Sequence, residues 1–124
     1  MSNKENATPT KAQIQKVTAE FYNRVFTDPM IGHFFHNKDK DRLINSQISL
    51  TKVLFSGSIP EGLPQKMKDI HHALHINGSQ FDRRQMILKE TLEDQGTPPE
   101  QISTWLDAEK SIKLWIIRHQ NCRH

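Results

Sequence analysis

Cysteine occurs once in this chain, as Cys122 beside the C-terminus. An intramolecular disulfide is therefore excluded, which fits a reducing compartment, and so terminal a position suggests no catalytic thiol. Long apolar runs are missing as well, and nothing approaches the roughly 20 residues that span a bilayer. The opening from Met1 to Lys11 is polar, without the apolar core of a signal peptide. No membrane partner is expected, and the cytoplasm is the expected location. Neither sign of charge dominates: 17 Lys and Arg stand against 14 Asp and Glu, a formal net charge of +3. The cations form no basic block and are not interleaved with aromatics, so they read as a solvated surface rather than a nucleic-acid interface.

Strand-like alternation and internal repeats are also lacking, which leaves helical periodicity as the main signal. A length of 124 residues bounds one domain with one core. The 35% hydrophobic content is lean, so a large apolar ligand would add usefully to the buried surface. The first ten residues read as a lead-in (1–10), followed by a single domain (11–121) and a short tail (122–124).

Apolar residues at Ile14, Val17, Phe21, Tyr22, Val25 and Phe26 mark one face of a first helix. Thr8-Pro9 or Thr10 offers its start and Asp28-Pro29 its end. An apolar knot, Met30 to Phe35, precedes a second helix expected from Asp39 to Phe55. A breaker-rich loop, Ser56 to Gly62, leads to a short helix that runs through Met67, Ile70 and His71 to Leu74. Asn77 or Ser79 can cap a helix from Gln80 to Asp94 that Gln95-Gly96 stops. For the last helix Thr97 is the expected cap, with Pro98 in the first turn and Glu100 completing a capping box. Its stripe of Ile102, Trp105, Leu106, Ile112, Trp115 and Ile116 runs close to the C-terminus as core. The fold class is all-α.

Histidine, by contrast, is plentiful: seven in all, with His71, His72 and His75 clustered. One imidazole nitrogen can bind iron while the other donates to an acceptor. By itself the cluster fits solvated surface histidines, a haem ligand or another metal. His71 and His75 could share zinc on one helix face, but a structural site would need two more ligands, and Cys122 forms no familiar pattern with them.

The surroundings of His71 narrow the choice. Met67 lies four residues before it, Leu74 and Ile76 follow, and Phe81-Asp82 comes ten residues on. Upstream stand Phe21-Tyr22-Asn23-Arg24-Val25-Phe26-Thr27-Asp28-Pro29, then Phe34-Phe35, then Arg42-Leu43 and Gln47. This ordered set, spanning Ala19 to Pro98, resembles the truncated haemoglobins, most closely their group I. The resemblance implies a truncated globin fold, a 2-on-2 helical sandwich around haem b, with His71 as the iron ligand. It implies Tyr22 as hydrogen-bond donor to bound oxygen with Gln47 as its partner, and Phe35 on the haem face. Leu43 takes the place of the distal histidine of ordinary globins. Met67, Ile76 and Phe81 fall where the family lines the proximal side, Arg42 and Lys66 near the haem propionates, and Leu50 and Thr51 along a ligand tunnel.

Several features depart from the family pattern. Its first helix and Gly-Gly turn are missing, the second glycine turn survives only as Ser56-Gly57, and an aromatic before the proximal helix gives way to Glu61-Gly62. Arg83-Arg84 stands where the family tends to be apolar. His72 and His75 are competitors for the iron if the short helix shifts register. The resemblance implies a monomer or weak dimer that binds oxygen and other diatomic gases reversibly. Nitric oxide dioxygenation or a weak peroxidase activity would draw electrons from a reductase partner. The competing reading is a globin-scaffold interaction or regulatory module that has lost haem.

Overall fold

Thr10 sets the first helix. Its hydroxyl accepts from the Gln13 N–H at 3.1 Å, and the Gln13 side chain accepts from the Thr10 N–H at 3.3 Å. That reciprocal capping box satisfies donors that a helix start leaves open, and α1 runs Lys11–Phe26. The computed structural model describes residues 8–117. Most of the expected lead-in, the domain limit at 121 and the tail with Cys122 lie outside the described residues.

The chain continues through a 3-10 turn (Gly32–Phe34), α2 (Lys40–Ser56), α3 (Leu63–His71) and a second 3-10 turn (His72–Leu74). It ends with α4 (Gly78–Asp94), α5 (Pro99–Lys110) and α6 (Lys113–Ile116). Helix α1 packs on α2 and on α4, while α5 packs on α4 and on α2. These pairings close a ring of four helices, two laid on two. Short α3 stands outside the ring and leans on α6.

The stripe read from α1 buries Ile14, Val17, Phe21, Tyr22 and Val25 against Ile87, Leu88 and Leu92 of α4 and Trp105 of α5. A second cluster, Ile76, Phe81, Ile112, Ile116 and Ile117, fills the end where α4 meets α6. Full burial of a side chain such as Leu92, with no exposed surface, contributes about 1.5–3 kcal/mol. Helix α3 buries none of its residues completely. Nine residues are too few for a helix to hold by itself, so α3 depends on the partial packing of Met67 against the second cluster.

Several boundaries differ from expectation, and three of them have a visible local cause. Helix α1 stops at Phe26, because Asp28 is drawn away to accept from the Met30 and Ile31 N–H groups at 3.0 and 3.1 Å. The Thr97 capping box does not form: Pro98 is the cap residue, without a side-chain bond. A residue before proline is pushed to extended backbone, and Pro98 obeys, at φ −59° and ψ 145°, so the first helical position moves to Pro99. Thr97 serves the preceding helix instead. Gly96 at φ 75° turns the chain, and Gly96 and Thr97 donate to the carbonyls of Glu93 and Leu92, which closes α4 with a Schellman motif. The last helix also breaks at Ser111-Ile112 rather than running on. There the Ser111 hydroxyl donates to the Ala108 carbonyl at 2.6 Å, competing with the helical ladder.

Asn77 caps α4 as expected, with Gln80 completing the box at 2.8 Å in both directions. Gly32 makes the corner after α1 compact: a Cβ there would lie 2.9 Å from the Phe26 carbonyl oxygen. That close approach holds Phe34 and Phe35 against the core.

Candidate functional site

His71 ends α3, and its Nδ1 lies 2.8 Å from the Met67 carbonyl oxygen one turn back. A carbonyl can only accept, so Nδ1 carries the proton and Nε2 keeps its lone pair. Burial lowers the pKa of the imidazole, the Met67 bond opposes that, and the charges of Arg84, His72 and Lys38 lower it further. The net lowering favours a neutral ring that can serve as a metal ligand.

The ring borders a cavity of about 210 Å³ enclosed by α1, α2, α3, α4 and the α6 end of the chain. A second cavity, of about 490 Å³, adjoins it through shared walls at Tyr22, Leu43, Gln47, Leu50, Met67, Ile70 and His71. The structure thus gathers on one cavity residues as distant in sequence as Tyr22, Phe35, Leu43, Gln47, Met67, His71, Ile76 and Phe81. Lys66 lines the larger cavity and Leu50 both, whereas Thr51 lines neither. Arg42 stands exposed on the first turn of α2, outside both walls. His72 and His75 also lie outside them. Among the described residues the His72 Nε2 atom is buried without a hydrogen-bond partner.

Tyr22 is 8% exposed, packed edge-on against Phe21 and Phe35 with ring centroids 5.2 and 6.0 Å apart. Burial pushes its phenol up to about 12, against the Arg84 charge and with a further push from Glu109. The hydroxyl therefore stays protonated, and remains a donor, at any ordinary pH. Gln47 does not stand free: its amide donates to both Glu109 carboxylate oxygens at 3.1 and 2.9 Å and approaches the Thr51 hydroxyl at 3.2 Å. Behind it Arg84 donates to Glu109 at 2.6 Å and to Gln85 at 2.7 Å.

Glu109 and the role of Arg84 are what sequence reasoning missed. The signal was present: Glu109 sits between Trp105 and Ile112 at spacings of four and three, on the buried stripe of α5. A carboxylate at a core position needs a partner, and Arg84, three residues after Phe81 on α4, is that partner. Lys38, which lines the smaller cavity, was also overlooked.

No group of three His, Cys, Asp or Glu side chains converges among the described residues. A zinc ion shared by His71 and His75 thus finds no third ligand there, whereas haem asks the protein for one axial nitrogen. A model of the bacterial-like globin family matches residues 7–118. The chain belongs to the bacterial-like globins. Its fold is the truncated globin fold. A crystal structure of truncated hemoglobin from Tetrahymena pyriformis, a glutamine-to-glutamate variant in the Fe(III) form, superposes with a TM-score of 0.80 over 95% of this chain and 100% of that one. A tyrosine-to-phenylalanine variant of the same hemoglobin, also Fe(III), gives 0.79 over 94% and 98%. Sequence identity is only 19% and 18%, so these likenesses establish the globin's architecture. No curated protein sequence matches it. No helix among the described residues is long and apolar enough to cross a membrane.

Proposed function

We propose that this globin holds haem b through His71 and binds oxygen and other diatomic gases reversibly in the cavity that Tyr22 borders. The observation that carries the reading is the Met67–His71 hydrogen bond, which frees Nε2 of a neutral imidazole on the wall of an apolar cavity. The residues fit the group. Phe35, Leu43, Met67, Ile76 and Phe81 supply the aliphatic and aromatic walls that a flat apolar disc requires, and Lys38 and Lys66 stand on the cavity walls as cations for its carboxylates. Family membership and the iron-containing relatives of the same fold support the same conclusion.

Bound haem would supply an iron centre with one position open to a small ligand. The chain's own residues then set affinity and retention. Tyr22 offers a neutral donor from a dry site, where a hydrogen bond to a partly negative atom is stronger than in water. Gln47, held by Glu109, is a further polar group on that wall. A donor of this kind slows ligand release, which suits capture or chemistry more than bulk transport. Turnover of nitric oxide to nitrate, or of peroxide, is the redox extension of the reading and would take electrons from a separate reductase.

Titration of the purified chain with hemin tests the proposal. A sharp Soret band that saturates at one haem per chain is expected, with an oxygen-bound spectrum after reduction in air. A chain that stays spectrally blank contradicts the proposal and leaves the globin-scaffold interaction module as its replacement.

A further inference from the structure

Gln47 borders the cavity from α2, yet its amide nitrogen is committed to groups behind the wall. Nε2 donates to the Glu109 carboxylate at 2.9 and 3.1 Å and to the Thr51 hydroxyl oxygen at 3.2 Å. Thr51 can accept there because its own proton goes to Glu109, at 3.3 Å. A carboxylate that Arg84 neutralises at 2.6 Å has lone pairs and no proton to give. Turning the Gln47 amide over would set a carbonyl oxygen against that carboxylate and strand an acceptor, so charge fixes which end points where. Water cannot relieve the conflict, since the Glu109 side chain and Thr51 are each 1% exposed. The polar atom of Gln47 left without a partner among the described residues is therefore its carbonyl oxygen, Oε1. The Tyr22 hydroxyl, which borders the same cavity, also meets no partner among them.

We infer that Glu109, which does not border the cavity itself, is a positioning residue that sets the cavity's hydrogen-bonding polarity through Gln47. It makes Gln47 an acceptor toward the ligand and leaves donation to the Tyr22 hydroxyl and the Arg84 guanidinium. Gln47 then opposes a ligand atom that gathers negative charge, where a free glutamine would turn its N–H group to it. Affinity is thereby held below what the same wall could reach with its amide reversed. The inference rests on the haem reading and specifies how that same site is tuned.

Glu109→Gln tests this with almost no change of shape. Arg84 keeps the oxygen it already bonds, so the new N–H group faces Gln47 and Thr51. Gln47 must then offer its carbonyl oxygen inward and turn Nε2 to the cavity. The readout is the infrared stretch of carbon monoxide on the ferrous haem-loaded protein. A donor beside the ligand draws electron density into it and lowers that frequency, while a lone pair raises it. Glu109→Gln is expected to lower the stretch and to slow oxygen release about 10-fold, the scale of one added hydrogen bond. Gln47→Leu leaves the Arg84–Glu109 pair in place and tests the same point even if Glu109→Gln folds poorly. It is expected to lower the stretch as well, by removing a lone pair, and not to speed oxygen release. In the haem-free chain, the Gln47 side-chain amide protons should exchange with solvent slowly in wild type and at least about 10-fold faster in Glu109→Gln. A stretch that rises in Gln47→Leu, with faster oxygen release, makes Gln47 a donor and overturns the inference. So does a stretch that neither variant moves, which leaves Glu109 a purely structural role, or rapid amide exchange in wild type. A wild-type chain without a Soret band overturns the haem reading and the inference together, and that spectrum separates this failure from a failure of Glu109 alone.

Discussion

Arg84 of α4 and Glu109 of α5 meet at 2.6 Å, with the carboxylate almost wholly withdrawn from solvent. Gln47 of α2 and the Thr51 hydroxyl converge on the same carboxylate. Three helices are therefore tied at one buried charge directly behind the cavity wall.

Removing one member of such a group leaves the other charged and unpaired. Glu109→Ala is expected to destabilise the fold by about 3–5 kcal/mol, measured by chemical denaturation. The double replacement of Arg84 and Glu109 by glutamine should cost clearly less, because no buried charge is stranded. Equal costs for the two variants would contradict the account of the pair.

Tyr22 is the sole tyrosine, so its ionisation is readable by ultraviolet absorbance without interference from another phenol. The folded-state value is raised from 10.0 to about 12. Its contribution to stability is thus complete below pH 10, and is lost as pH climbs from there through about 12. Absorbance should show no ionisation at pH 10.5 while the chain is folded, and Tyr22→Phe should weaken the alkaline loss of stability. A phenol that titrates near 10 in the folded protein contradicts its burial.

Asp28 behaves in the opposite sense. The Arg83 hydrogen bonds at 2.6 and 3.0 Å hold its carboxyl below the usual carboxylate range, with help from the Met30 and Ile31 N–H groups. Its contribution is present above the unfolded value of 3.8 and disappears as pH falls through the lower folded one. Because Arg83 is 37% exposed, solvent screens much of the pair. Asp28→Asn should therefore cost only about 1–2 kcal/mol at neutral pH and flatten the acid limb of the stability curve. An unchanged acid limb would assign that limb to other carboxylates.

Gly32→Ala tests the corner. The added methyl meets the carbonyl oxygens of Phe26 and Val25 at 2.9 and 3.2 Å, both backbone atoms with little room to move. A loss of about 1–3 kcal/mol is expected, with a change in near-ultraviolet circular dichroism as Phe34 and Phe35 shift. A neutral substitution would mean that the corner can open without cost.

How much of this was legible in the sequence depended on whether a signal was local. The helical stripe of α1 and the Asn77 cap could be read directly, because periodicity and capping need only neighbours. Tyr22, Gln47 and His71 were named through a family pattern, and the fold brings them to one cavity from three helices. The start of α5 was misread because Pro98-Pro99 overrides the Thr97 signal by steric exclusion, and its break at Ser111 depends on one side chain competing for a carbonyl. Glu109 was passed over since a charge on an apolar stripe looks like an interruption. Only tertiary structure shows that Arg84, 25 residues away, converts it into a buried pair.

The central claim is that His71 is the one side chain that holds the haem. Its most direct test is the Soret spectrum of His71→Gly with hemin, before and after free imidazole is added. The account predicts a weak or misplaced band that returns to the wild-type position when imidazole fills the space of the missing ring. A wild-type band in His71→Gly without imidazole would contradict the claim and move the ligand to His72 or His75.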